Sequence, residues 1–555
     1  MGMRHGGQIL AAQLARLGVE RVFSVPGESF LAALDGLRDS GIEIITGRHE
    51  GGVAMMAEAA GKLGGGAGAG VGFVTRGPGL SNAMAGLHVA RQDSTPMVLF
   101  VGQIERGHRD REAFQEVNYR AVLGPFVKWV AEIDQTERIP EYVNRAFALA
   151  RSGRPGPVVL ALPEDMLAAE ADVPDLAAPV RRATADWAPA ARDIAEHLSR
   201  AERPLVLAGG PLWSQQAART LASFAERQAL PVATGFRRQD YIDNRHPAFV
   251  GDLGVGANPR LAARLREADL LLVLGSRLGD IETAGYTLLD PRAPGTAIVH
   301  VHASPDEPAT TYAPRLAVAA PAPEILPALA ALEPLGGGWS GWAAEARGEY
   351  EAWNTPAQTP GALKLEQVVH RLSQTLPDDA ILTNGAGNFA GWLHRYFRYR
   401  RHGTQLAPTS GSMGYGFPAA IAAKLARPGA TVVCLAGDGD FQMTLNELST
   451  AVQYGAAVVV LVVNNGRYGT IRMHQEKHYP GRVSGTDLHN PDFAALARAY
   501  GGFGARVERT EDFEAAFDAA LASGLPAVID LVVDPEALST GQTLSGARAA
   551  ALGNA

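Results

Sequence analysis

The sequence predicts an α/β protein made of three doubly wound parallel-sheet domains. Three observations carry that expectation: short, nearly continuous apolar runs recur along the chain, helical stretches separate them, and the rhythm breaks twice at segments rich in Ala, Pro and Gly. A chain of 555 residues also exceeds what one hydrophobic core usually serves.

Taken in order, Leu10, Leu14 and Leu17 share one helical face, and RVFSV reads as a short strand closed by the turn PGES. IEIITG, VGFVTRG, PMVLFVG and GPVVLALP follow as further strands, with GGVAMMAEAAGKL as a helix among them. Runs this continuous suit strands covered on both faces. This first unit is placed at 1–170, with GGGAGAG (64–70) as a flexible surface loop. Residues 171–190 show no sustained period and read as a linker. PLVLAGG, LPVATG, DLLLVLGS and AIVHVHA build a second, Rossmann-like unit at 191–335. A second linker is placed at 336–360, a third unit at 361–540 and a poorly ordered tail at 541–555.

Composition removes several function classes. Apolar residues make up 46%, charged residues 19%, and the net charge of −8 comes without a basic patch, which argues against nucleic acid as a partner. No run approaches the roughly 20 apolar residues of a membrane span, and the start lacks a signal core, so no membrane partner and a cytoplasmic location are expected. The single cysteine, Cys434, sits inside TVVCLA and reads as a buried structural thiol.

The third unit holds the clearest chemistry. TVVCLA runs into Gly437-Asp438-Gly439, Phe441, Leu445, Leu448 and Val452 recur at helical spacing, and AAVVVLVV ends on Asn464-Asn465. If the two strands are neighbours in a right-handed crossover, Asp438 and Asn465 converge at their carboxyl ends. Ligands of open α/β sheets bind at that end, and a helix N-terminus there offers free N–H groups to a phosphate. One carboxylate and one amide oxygen make an incomplete hard shell, suited to Mg²⁺ completed by diphosphate oxygens, a backbone carbonyl and water. Gly437 and Gly439 let the backbone come close. The plain alternative is a Gly-Asp-Gly turn and a pair of capping asparagines.

The pairing of Gly-Asp-Gly with a downstream Asn-Asn resembles the motif of thiamine-diphosphate enzymes, and nearly the whole chain is similar to the acetolactate synthase branch of the pyruvate oxidase/decarboxylase superfamily. The resemblance implies thiamine diphosphate and Mg²⁺ as cofactors, a pyrimidine-binding first domain and a diphosphate-binding third one. It makes Asp438, the Asn465 side chain and the Arg467 carbonyl the metal ligands. Gly437, Gly439 and Asp440 would face the diphosphate, Asp440 standing where acetolactate synthases usually carry Ser. Glu50, in TGRHEGG, would bond the pyrimidine nitrogen as the principal catalytic group; otherwise it is an exposed capping residue. Met413, in TSGSMGYGFPAAIAA, would prop the cofactor into its bent shape. NGAGNF resembles the diphosphate-side loop, with Asn388 in place of a glutamine and Phe389 in place of a histidine.

Substrate choice rests on residues where the family pattern is mixed. EAFQEVNY resembles the synthase Phe-Gln-Glu run, so Phe114 and Gln115 are expected to face the substrate. Glu28, in VPGESF, stands where 2-oxo-acid decarboxylases carry a catalytic Asp; it reads as a proton donor or relay, or as a helix-start residue. His474, in YGTIRMHQE, stands where synthases favouring 2-oxobutanoate place Trp; it would contact a carboxylate or merely cover the site. In the middle domain GDLGVGANPRLAARL is Gly-rich but lacks G-x-G-x-x-G. Some relatives hold FAD there, so either FAD or a purely structural domain is expected. The activity implied is decarboxylation of a pyruvate-like 2-oxo acid with carboligation to a second oxo compound. Simple decarboxylation is the runner-up; a flavin-dependent oxidase or a non-catalytic cofactor-binding homologue stands behind it. A homodimer or homotetramer with active sites at subunit interfaces is implied.

Overall fold

The computed structural model describes residues 2–64, 68–178 and 185–553. Each domain is built on one six-stranded sheet in which every neighbouring pair is parallel. The first sheet comprises Arg21–Ser24, Glu43–Thr46, Gly70–Val74, Met97–Gln103, Trp129–Glu132 and Pro157–Pro163. The second comprises Pro204–Ala208, Val232–Thr234, Phe249–Asp252, Leu270–Leu274, Ala297–His302 and Leu316–Ala319. The third comprises Ile381–Asn384, Gln405–Leu406, Val432–Gly437, Val459–Asn464, Phe503–Val507 and Ala527–Val532. Counted within each sheet, the first and third run 2-1-3-4-6-5 and the middle one 3-2-1-4-5-6. All five residues of Leu270–Leu274 and of Pro204–Ala208 are buried, as strands covered by helices on both faces require.

In the first two sheets, three strands lie outside the apolar runs: Trp129–Glu132, Phe249–Asp252 and Leu316–Ala319. All three are sheet edges. An edge strand has one uncovered side, so it needs no continuous apolar stretch to form.

Several boundary expectations need correction. The span 336–360 is not a plain linker, because Ser340–Asn354 is helical and Trp339, Ala346 and Tyr350 are buried against the middle domain. Nor are residues 541–553 of the tail poorly ordered; residues 554–555 lie outside those described. Ala537–Ser539 pairs antiparallel with Gln542–Thr543, and helix Leu544–Gly553 seats Leu544 and Ala547 beside Leu538 and Met473. Arg548 there meets the fully buried Glu476 carboxylate at 2.5 Å, a long-range pairing that no local pattern announces. Helix Ala188–Ser199 begins inside the first linker, whose residues 179–184 lie outside those described, as do residues 65–67 of the Gly-rich loop.

Helix Glu50–Leu63 of the first domain packs on helix Gly416–Ala426 of the third, and one hydrophobic core spans both domains. Small residues on the facing sides allow the close approach. The same contact buries Glu58, which accepts from Tyr415 Oη at 2.6 Å and pairs with Lys62 at 3.1 Å.

Candidate active site

The register of the third sheet places Gly437 beside Val463, so Asp438 and Asn464-Asn465 leave adjacent strands side by side. The segment after Asp438 is a broken helix rather than one amphipathic stretch: Asp438–Gln442, a 3₁₀ turn at Leu445–Glu447, then Leu448–Gln453. A cavity of about 250 Å³ opens here, and Gly437, Asp438, Gly439, Asn465 and Arg467 all line it.

Asp438 is 3% exposed and well supplied with donors. Its Oδ1 accepts from Gly439 N at 2.9 Å; Oδ2 accepts from Gly466 N and Asn490 Nδ2, each at 2.8 Å. Burial raises the carboxyl pKa, and those donors oppose the rise. Asn464 turns away to donate to Asp530 Oδ1 at 2.9 Å and accepts from the same Asn490. Asn465 faces the cavity, its Oδ1 accepting from Arg467 N at 3.1 Å. Tyr468 N donates to Thr486 O and Leu488 N to Gly466 O, each at 2.9 Å; these bonds flank Arg467 and leave its carbonyl outside the pairing. Glycine is needed at 439, where a Cβ would lie 2.5 Å from the Tyr468 ring.

Two loops form the rest of the wall. Asp440 does not point its carboxylate outward: Oδ1 accepts from Gly414 N at 2.7 Å and Ala386 N at 3.3 Å, and burial pushes its pKa up to about 7. Asn388 and Met413, one from each loop, line the cavity. The Asn388 amide is already engaged, donating to Leu538 O at 3.1 Å and accepting from Thr470 Oγ1 at 3.0 Å. Phe389 fills the space beside Gly437 that a side chain there would need.

Among the described residues no three His, Cys, Asp or Glu side chains group as a metal site. Asp438, Asn465 and the Arg467 carbonyl are thus a partial oxygen shell, and it fits Mg²⁺ delivered with a diphosphate rather than a metal held by protein alone.

The amino-terminal residues form a second cluster. Glu50 begins helix Glu50–Leu63 and accepts from Asn82 Nδ2 at 2.9 Å. Its loop is held from the third domain: the buried Glu447 carboxylate accepts from Arg48 N at 3.1 Å and His49 N at 3.0 Å. Glu28, at the start of a 3₁₀ turn, meets Arg76 at 2.6 Å. The guanidinium holds the Glu28 carboxyl below its ordinary value, so it is ionised rather than poised to donate a proton. Arg76 Nε also donates to Gln115 Oε1 at 3.3 Å, and Nη1 pairs with Glu164. Gln115 sits at φ +64, in a loop that Glu116 ties together by accepting from Asp110 N and Ala113 N. Phe114 beside it is 76% exposed.

Glu28 and Gln115 are therefore brought together, while neither they nor Glu50 line the Asp438 cavity, whose lining among the described residues begins at Ala386. His474 stays apart from both. It lies exposed on helix Gly469–His478 and stacks on His478 at 6.1 Å, whereas Gly469, Thr470 and Ile471 at the start of that helix line the cavity.

In the middle domain the strand-end crevice lies between Gly209-Gly210 and Ser276-Arg277, at the switch in strand order, and measures about 100 Å³. The Gly-rich GDLGVGANP lies at the edge strand instead. Arg238 in the crevice pairs with Asp93 at 2.7 Å and Arg277 with Glu307 at 3.1 Å, while Asp280 and Glu282 add negative charge. The two arginines are thus each already paired with a carboxylate.

Sequence reasoning missed Asn490, Glu447 and Arg76. Each acts through a contact distant along the chain, and only Arg76, beside the Gly-Pro-Gly turn after a strand, stands at a position that strand-end logic marks.

Comparison with known proteins agrees with this geometry. Residues 4–122 match the thiamine pyrophosphate enzyme N-terminal TPP binding domain, 191–329 its central domain, and 385–531 its C-terminal TPP binding domain. The chain is 30% identical to acetolactate synthase isozyme 2 large subunit of Escherichia coli (strain K12), over 96% of each chain. It is 31% identical to an acetolactate synthase of Mycobacterium bovis, over 96% of this chain and 88% of that one. It is 30% identical to the mitochondrial acetolactate synthase catalytic subunit of Saccharomyces cerevisiae, over 95% and 80%. The chain therefore belongs to the thiamine pyrophosphate enzyme family and is a thiamine-diphosphate-dependent enzyme of acetolactate synthase type.

Proposed function

We propose that the enzyme decarboxylates a pyruvate-like 2-oxo acid and joins the remaining two-carbon unit to a second oxo compound. Bound thiamine diphosphate supplies the carbon nucleophile and the electron sink. Asp438, Asn465 and the Arg467 carbonyl would hold Mg²⁺ delivered with the diphosphate. Met413, on the cavity wall, would pack against the bound cofactor. Glu50 holds a proton against the pyrimidine nitrogen, in the loop that Glu447 braces.

The observation that carries ligation over simple decarboxylation is the Arg76 cluster. Its guanidinium engages Glu28, Gln115 and Glu164 together, which holds in one place the side chains that would receive a second substrate. Gln115, fixed by the same guanidinium, and Phe114 orient that second substrate. Joining two pyruvates forms one C–C bond, releases one CO₂ and takes up one proton. Product analysis with pyruvate alone, then with 2-oxobutanoate added, tests this reading; acetaldehyde as the dominant product would overturn it in favour of the decarboxylase.

The complete site is formed by two copies of the chain, as a homodimer or homotetramer. Support comes from the cavity's lining by the third domain alone and from apolar residues left open near both clusters: Phe114, Met443, Ile471 and Tyr479. Light scattering that finds only monomer under turnover conditions would exclude this. The middle domain is read as structural, and a visible spectrum of the purified protein without flavin bands is expected.

A further inference from the structure

The two loops that wall the cofactor cavity, 385–388 and 408–414, are each held twice. Asp440 takes the N–H groups of Ala386 and Gly414. Arg237 takes carbonyls of the same loops, Nη1 donating to Pro408 O at 2.6 Å and Nη2 to Gly385 O at 2.9 Å. Arg237 belongs to the middle domain, just past strand Val232–Thr234, yet it is 4% exposed and its fork reaches into the third domain. Its backbone sits at φ +58, a costly conformation for a residue with a Cβ, which persists only where the surroundings over-determine it. The Phe236 ring 4.9 Å away and the two carbonyls supply those surroundings. Burial lowers its pKa to about 10, which leaves it charged at neutral pH. The adjacent Arg238 turns the other way to Asp93 of the first domain, and Asp93 in turn accepts from Thr409 N at 3.2 Å.

We propose that Arg237 is a positioning residue for the thiamine diphosphate cavity: by fixing the carbonyls of Gly385 and Pro408 it shapes the loops that carry Asn388 and Met413 before the cofactor arrives. Cofactor affinity then depends on a residue of the middle domain that touches neither cofactor nor substrate. This rests on the assignment of that cavity to thiamine diphosphate. A planar fork is required, because a lysine ammonium is a single point that cannot serve both carbonyls with the same geometry.

The test is calorimetric titration of the full-length protein, stripped of cofactor by dialysis, with thiamine diphosphate at saturating Mg²⁺. Wild type, R237K, R237M and N244A are compared. Asn244 also joins the middle and third domains, through Tyr399 N at 2.8 Å, but touches neither loop. R237M is expected to weaken cofactor binding by about tenfold or more and R237K by less, with turnover at saturating cofactor falling less than affinity. N244A is expected to lower Tm with affinity within about twofold of wild type. Arg237 variants that bind within twofold of wild type overturn the proposal, as does an equal loss in N244A. If R237M does not fold, R237K decides. Wild type that fails to bind thiamine diphosphate instead overturns the cavity assignment itself.

Discussion

Asp438 and Glu28 are both carboxylates just beyond the ends of sheet strands, in domains whose sheets have the same strand order. Asp438 is 3% exposed and accepts three hydrogen bonds; the Glu28 side chain is 61% exposed and answers to one guanidinium. The contrast extends to their neighbours. The carboxyl-terminal cluster lines a cavity around a buried carboxylate, whereas the amino-terminal cluster is an open face with Phe114 standing clear of it. A cofactor anchor profits from being rigid before binding, since ordering costs are then met by folding. The amino-terminal face has no such enclosure.

Substituting Glu50 puts the greatest strain on this contrast. E50Q should lower turnover by roughly 10²–10⁴-fold, measured as CO₂ release, while thiamine diphosphate and Mg²⁺ still bind at the other cluster. Unchanged turnover would mean the open face does no chemistry. N490A removes one donor to Asp438 and one to Asn464, and should weaken Mg²⁺ binding by about 10–100-fold in a calorimetric titration, sharpening the claim that the cradle is preorganised.

E447A tests the joint between the two clusters. It leaves the N–H groups of Arg48 and His49 without their acceptor and should cost about 1–3 kcal/mol in denaturant unfolding. The smallest effect belongs to Glu28. Its folded pKa is lowered, so the Arg76 pairing contributes stability above the unfolded carboxylate pKa and loses it as pH falls through the folded value. E28Q should flatten the part of the Tm-versus-pH curve below about pH 4.5 and shift neutral-pH stability by less than about 1 kcal/mol. A large neutral-pH loss would show that the face is more tightly built than its exposure indicates.

The carboxyl-terminal cradle was legible because its logic is local: two apolar strands, one crossover, and motif residues at the two strand ends. Parallel register did the rest by setting Gly437 beside Val463. What supports the cradle was not legible. Asn490 reaches Asp438 across 52 residues, and Glu447 reaches His49 across 398, and such pairings leave no periodicity behind. His474 shows the opposite failure. Its position in a motif points inward, but only the first turn of helix Gly469–His478 lines the cavity, and His474 lies one turn farther along, exposed. The helices at 340–354 and 544–553 were hidden for a third reason, since Gly, Ala and Pro near them diluted the pattern on which segment reading depends.

The shared 2-1-3-4-6-5 winding of the outer sheets carries one more consequence. A molecule with two unlike ends needs two unlike crevices, and one winding repeated in a chain offers both. If each chain lends one crevice to the other, a two-fold axis completes two sites in a single docking event. Activity per chain should then fade on dilution with the concentration dependence of an association rather than hold constant. The number of working sites would always be even.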